Sequence, residues 1–157
     1  MRVTARVDYA VRAMTELAAS TEPQVKGEHL ADRQGIPLKY LENILADLRR
    51  AGLIASQRGA DGGYRLARPA EAVTVADIIR AVEGPLADVR GTSPDEITYP
   101  GAASALQQVW VATRAALRGV LEVVTVADIA NGTLPPAVEE RLADPEAWSR
   151  RRLRAHR

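Results

Sequence analysis

A mainly helical chain with one small β-hairpin is what the sequence predicts, on three observations. Alanine and leucine are abundant, phenylalanine is absent and β-branched runs are few, a bias toward helix formers. Apolar residues recur every three or four positions over most of the chain. The one stretch that alternates apolar with basic residues, SQRGADGGYRLARP from Ser56 to Pro69, is broken by clustered glycines, as a hairpin turn requires.

Taken in order, Thr4 can cap a first helix in which Val7, Val11, Met14 and Leu17 share a face, with Arg6, Asp8, Arg12 and Glu16 on the others. That helix ends near Ser20. The polar link STEPQV leads to a short second helix, about Lys26 to Gln34, stopped by Gly35. A third opens with Pro37 as its first residue, where a missing amide proton costs nothing, and runs to about Ala51 before Gly52. Between the second and third helices, Ala31 is small enough for a close approach and Gly35 can take a left-handed turn. Ile36, Leu41 and Ile44 can lock one helix onto the other. This is the arrangement of a helix-turn-helix, with an unrelated helical hairpin as the alternative.

The glycine-rich stretch follows directly. LIASQR and GYRLAR read as strands on either side of GADGG, so a hairpin tip comes straight after the presumed recognition helix and forms a wing. A phosphate-cradling loop would be a strand-to-helix turn with G-x-G-x-x-G spacing or a following Gly-Lys-Ser/Thr, and neither is present. Thr74 and Asp77 form a capping pair for a fourth helix, Thr74 to Glu83, stopped by Gly84-Pro85. The phrase TVADI recurs from Thr125 to Ile129, as expected of two helices that begin with the same capping chemistry.

Pro85 to Pro100 shows no period, and a long helix follows, about Ala102 to Val124. Leu106, Trp110, Thr113, Leu117, Val120 and Val124 form one stripe along it, while Val109, Ala112, Ala116 and Val123 form a second beside it. One stripe can pack on the body. The other needs a partner, which predicts a two-fold homodimer with Leu106, Val109, Trp110, Thr113, Leu117, Val120 and Val124 at the interface. The expected organisation is a winged helix-turn-helix over residues 1–84, a loop over 85–100, a dimerisation helix with a short following helix over 101–132, and a C-terminal extension with an Arg-rich tail over 133–157.

Several function classes are excluded by composition. With no cysteine in 157 residues, disulfides, zinc-thiolate sites and thiolate-bound clusters have no ligands. Two histidines, His29 and His156, cannot assemble a Ser-His-Asp set, and no carboxylate pair has a convincing setting, so an enzyme is not expected. No apolar run approaches the roughly 18 residues of a membrane span and Met1 to Ala10 is not a signal peptide, so the expected location is the cytoplasm, with no membrane partner. The formal net charge is only +1, but Lys39, Arg49, Arg50, Arg58, Arg65 and Arg68 face only Glu42, Asp47 and Asp61 within residues 37–68. Local field, rather than the total, governs attraction of an anionic partner.

The segments VDYAVRAMTELA, IPLKYLENILADLRRAGLI, RGADGGYRLAR and VADIIRAVEGPL together resemble the Rrf-two (Rrf2) family of bacterial winged-helix transcription regulators. The likeness is dense over residues 1 to about 86 and reaches about residue 132. Its most specific piece is the wing, with Arg58, Gly59, Gly62, Gly63, Tyr64, Leu66, Ala67 and Arg68. The resemblance implies a homodimer that binds a dyad-symmetric operator and usually represses transcription. It also implies, in well-known members, an iron-sulfur cluster on three cysteines in the loop before the dimer helix. That loop here, GPLADVRGTSPDEITYPGAASALQQ, has no cysteine, so the cluster does not carry over and no cofactor is expected.

If double-stranded DNA is the partner, the start of the third helix faces base edges in the major groove. The candidates are Leu38, Lys39, Tyr40, Glu42 and Asn43: lysine can donate to guanine or phosphate, asparagine can pair with adenine, and glutamate can accept from cytosine. Tyr40 could equally pack under the wing. At the wing tip Arg58 suits a narrow minor groove, and Gly59, Gly62 and Gly63 would let the backbone approach the sugar-phosphate. Thr4 and Arg6 lie at a helix N-terminus that suits a phosphate. An effector, either a small molecule held near Tyr99, Trp110 and the loop from Leu86 to Ala105 or a protein partner, is left open. The rival reading is a winged-helix protein-interaction module, which would gain little from a basic glycine wing.

Overall fold

The structure, a computed structural model, describes residues 2–150. Its helices are α1 (Ala5–Ala19), α2 (Gly27–Gln34), α3 (Leu38–Arg50), α4 (Val75–Glu83), α5 (Leu106–Leu121), α6 (Val126–Asn131) and α7 (Pro136–Leu142). Between α3 and α4 runs an antiparallel pair of strands, β1 (Ile54–Gln57) and β2 (Gly63–Leu66). The mainly helical class with a single small hairpin is the one expected from the sequence.

Helix α1 lies at the centre, against α3, α4 and α6. It buries Val7, Ala10, Ala13, Met14 and Leu17, and the two alanines let the neighbouring helices come close. Val11, expected on the same face, stands partly buried at its edge. Side chains at i, i+3, i+4 and i+7 of α3, namely Leu41, Ile44, Leu45 and Leu48, are all fully buried, together with Leu30 of α2. Burying a side chain of this size is worth about 1.5–3 kcal/mol, so this cluster fastens α2 and α3 into one unit. Gly35 turns the chain between them at φ 61 and ψ 39, its N–H reaching the Ala31 and Asp32 carbonyls. The Ile36 amide also donates to Ala31 O, at 2.9 Å. Pro37 caps α3 with an extended ψ of 122, so the helix proper begins one residue later than its sequence suggests.

The hairpin pairs Ile54 with Leu66 and Gln57 with Gly63, leaving residues 58–62 as the tip. Val25, just before α2, adds a further bridge: its N–H donates to Tyr64 O and its carbonyl accepts from Tyr64 N, both at 2.8 Å. The wing is thus tied to the helix-turn-helix by backbone as well as by packing.

Both TVADI segments carry complete capping boxes, Thr74 with Asp77 and Thr125 with Asp128. The two caps also pair with each other. Thr74 and Thr125 form an antiparallel bridge, in which Val75 N donates to Val124 O at 3.0 Å and Val126 N to Val73 O at 2.9 Å. The end of the long helical arm therefore returns to the winged body, where Val126 joins the common core and α6 packs on α1.

Three further expectations need correction. Helix α5 is shorter than 102–124, because Gly101 adopts φ 58 in a 3-10 turn at its start and Val124 is drawn into the bridge at its end. Val124, expected at the dimer face, is consequently buried within its own chain. The C-terminal extension, read only as an extension with an Arg-rich end, contains α7 followed by a 3-10 turn, Pro145–Trp148, and α7 packs along α5. Of the Arg-rich tail, residues 151–157 lie outside the described residues.

Candidate nucleic-acid interface

Amphipathicity decides which side of α3 is free. With Leu41, Ile44, Leu45 and Leu48 inward, the residues left outward in the first turns are Leu38, Lys39, Glu42 and Asn43, all exposed. Lys39, Glu42 and Asn43 make no side-chain hydrogen bond or ion pair among the described residues, so their donors and acceptors are uncommitted. Tyr40 is 40% exposed and sits edge-on to Tyr9 of α1, ring centroids 5.7 Å apart. Arg12 lies 5.3 Å over the same Tyr9 ring. Tyr40 therefore leans on α1 rather than under the wing, and the aromatic on the wing side is Tyr64.

Gly27, at the start of α2, joins the two exposed elements. A side chain there would meet Tyr64 of β2 at 3.6 Å and Leu38 of α3 at 3.8 Å. The beginning of α3 and the base of the wing consequently adjoin across the first turn of α2. Arg58 opens the wing tip, exposed and unpaired among the described residues.

The three wing glycines divide by role. Gly59, at φ 103, has open space around it. Gly62 and Gly63 are needed inside the hairpin: a Cβ on Gly62 would run into the Gln57 carbonyl, and one on Gly63 would stand 2.6 Å from Val25 O, where φ is also 149. Their smallness is explained by backbone approaching backbone within the wing.

Thr4 and Arg6, the residues expected at a phosphate, are engaged internally. Thr4 caps α1 by accepting from Val7 N and donates its hydroxyl to Glu83. Arg6 donates from Nε to Val82 O at 3.1 Å and pairs with Asp47 of α3. At the far end of α3, Arg50 also pairs with Asp47 at 2.6 Å, and Arg49 donates to Ser56 Oγ at 3.1 Å. Sequence reasoning missed the Arg6 pairing because Asp47 lies forty-one positions away in the chain.

Along α5 no residue is fully buried. Leu106, Trp110, Thr113, Leu117 and Val120 are half-buried toward the body, whereas Val109, Ala112, Ala116 and Val123 are exposed, Val109 at 52%. The stripe left without a partner is thus the second one, of which only Val109 was placed at the interface. The loop before α5 is pinned to it: Arg114 reaches Asp95 at 2.8 Å and Ser93 Oγ at 2.7 Å, and Gln107 Nε2 donates to Asp95 O at 3.0 Å. Asp95 is held well below the ordinary carboxylate range, at about 2, first by the Ser93 hydroxyl and then by Arg114. Tyr99 and Trp110 bond to each other at 3.1 Å rather than enclosing a space.

A helix-turn-helix whose second helix shows an unpaired lysine, asparagine and glutamate, followed at once by an arginine-tipped hairpin, defines a winged-helix DNA-binding regulator. The chain belongs to the Rrf2 family, whose model, described as an iron-dependent transcriptional regulator, matches residues 3–132. It is 45% identical to the putative HTH-type transcriptional regulator Rv1287 of Mycobacterium tuberculosis over 158 residues, spanning 100% of this chain and 98% of that protein. It is 34% identical to the HTH-type regulator CymR of Bacillus subtilis, over 85% of this chain and 92% of that one. Among solved structures, that of CymR, the global cysteine regulator of B. subtilis, superposes with a TM-score of 0.72 at 33% identity, over 85% of this chain and 98% of the other. That of T. potens IscR gives 0.69 at 35%, over 84% and 88%. These proteins are transcriptional regulators, not enzymes. No helix among the described residues is long and apolar enough to cross a membrane.

The family's iron finds no suitable donors here. The sequence has no thiolate to offer, no group of three His, Cys, Asp or Glu converges among the described residues, and the loop's Asp95 is already spent on Arg114 and Ser93. A thiolate-ligated cluster does not fit this chain.

Proposed function

We propose that the protein acts as a homodimeric transcriptional repressor on a dyad-symmetric operator, each protomer laying α3 into the major groove and the wing tip into the adjacent minor groove. Lys39, Asn43 and Glu42 read base edges, with Leu38 and Tyr40 giving apolar contact, and Arg58 with Gly59 enters the narrow groove. Gly62 and Gly63 shape the wing. The two protomers join through α5 by Val109, Ala112, Ala116 and Val123, with Leu106, Trp110, Thr113, Leu117 and Val120 alongside.

The observation that carries this reading is the set of uncommitted polar side chains on α3 and the wing, two elements that meet across Gly27. Selection of bound fragments from the source genome tests it. The expected product is a palindrome whose half-sites are centred about 10 base pairs, or a multiple, apart. Retention of fragments without a shared sequence, or no retention at low salt, would instead favour the protein-interaction module.

A further inference from the structure

We propose that the cleft between α1, α4 and α5 binds an apolar α-amino acid in its zwitterionic form. The cleft, of about 250 Å³, is walled by Val7, Ile79, Leu86, Leu117 and Leu121, and its charged lining consists of one guanidinium, Arg2, and one carboxylate, Glu83. A dry cavity of about 150 Å³ already admits benzene, so this one accommodates a branched or aromatic side chain with its head group.

The two charges set the ligand class. Arg2 makes no hydrogen bond or ion pair among the described residues, and Glu83 accepts only the Thr4 hydroxyl. Although both line the same cleft, they do not pair with each other. A molecule carrying a carboxylate and an ammonium on one carbon would satisfy both while its side chain displaced water from the apolar walls. A simple carboxylate or amine would leave one of them unanswered. The segment closing the cleft adds a second observation, for Ala87 is held at φ 57, a left-handed conformation uncommon for a residue with a Cβ. Such conformations gather at ligand clamps.

The position matters for the function proposed above: α4 belongs to the winged body and α5 to the dimer arm, so occupancy would bias the angle between them. That consequence rests on the DNA reading. Binding itself does not.

Calorimetry and thermal shift on the full chain, without DNA, test the site with leucine and phenylalanine against 4-methylpentanoate and 3-methylbutylamine. The amino acids are expected to bind at least about tenfold more tightly than either half-charged analogue. Glu83→Gln should narrow that preference, and Ile79→Trp, which fills the cleft from α4, should abolish binding while the dimer persists. A flat response across the panel would overturn the proposal, as would amino-acid binding that survives Ile79→Trp. Dissociation of the dimer by Ile79→Trp would assign the cleft to the second copy and also overturn it. If binding holds but operator affinity is unmoved by the ligand, the site stands and its regulatory consequence fails.

Discussion

Arg58 and Arg6 separate what a basic residue does on the outside of this fold from what it does within. Arg58 stands on the wing tip without a partner, so its removal costs the folded state almost nothing. Arg6 donates to the Val82 carbonyl and pairs with Asp47, with only 26% of its side chain exposed. Arg58→Ala is expected to leave the melting temperature in place and weaken operator binding by about 1–3 kcal/mol, the range of a specific groove contact. Arg6→Ala should do the reverse: lower stability by about 1 kcal/mol, since Asp47 keeps Arg50, with little change in affinity at matched folded fraction. Denaturation curves and operator titrations on the two variants check the pair, and an affinity loss on Arg6→Ala equal to that on Arg58→Ala would return Arg6 to the DNA face.

Among the elements, the loop before α5 is fastened by charge rather than by regular structure. Ser93 donates to Asp95 at 2.5 Å and Arg114 reaches both, so the Asp95 carboxyl titrates at about 2 instead of its ordinary 3.8. For a group whose folded value is depressed, the stabilisation is present above the ordinary value and is lost as pH falls through the folded one. The loop's attachment to α5 is therefore expected to be unchanged at neutral and mildly acidic pH and to weaken progressively as pH falls from about 3.8 to about 2. Carbon-detected NMR of the Asp95 carboxyl should return that low midpoint, and Ser93→Ala should raise it toward the ordinary range. Whether an element was legible in the sequence depended on how local its causes are. Thr74 with Asp77, Gly35 after α2, and the spacing of Ile36, Leu41 and Ile44 act within a few residues, and each was readable. The limits of α5 were not, because the Val124 carbonyl is drawn to Val75 N and Val126 N to Val73 O, some fifty positions earlier. The same holds for the wing glycines: their presence marked a hairpin, but only the approach of Val25 explains why Gly63 must be one. The pairing of Arg6 with Asp47 was hidden for the same physical reason.

At the scale of the molecule, α5 is tied along its first turns to the preceding loop and at its end to the body through the Thr74–Thr125 bridge, yet its length is left with an uncovered apolar stripe. Val109, on a helix with no fully buried residue, and Val123, just past its end, are 52% and 41% exposed, and α7 covers a neighbouring flank where Arg141 approaches Gly119. Burying such a stripe against its two-fold copy gives a pair of recognition helices at fixed separation, which one protomer alone cannot supply. A charge placed on the stripe would be desolvated on association without a partner, whereas in the monomer it would remain in water. Val109→Glu is therefore expected to leave the helical content and melting of the monomer intact, shift sedimentation from dimer to monomer, and lower affinity for a full palindrome by at least about a hundredfold while half-site binding stays weak and unchanged. A variant that still sediments as the wild type does would move the interface off this face of α5.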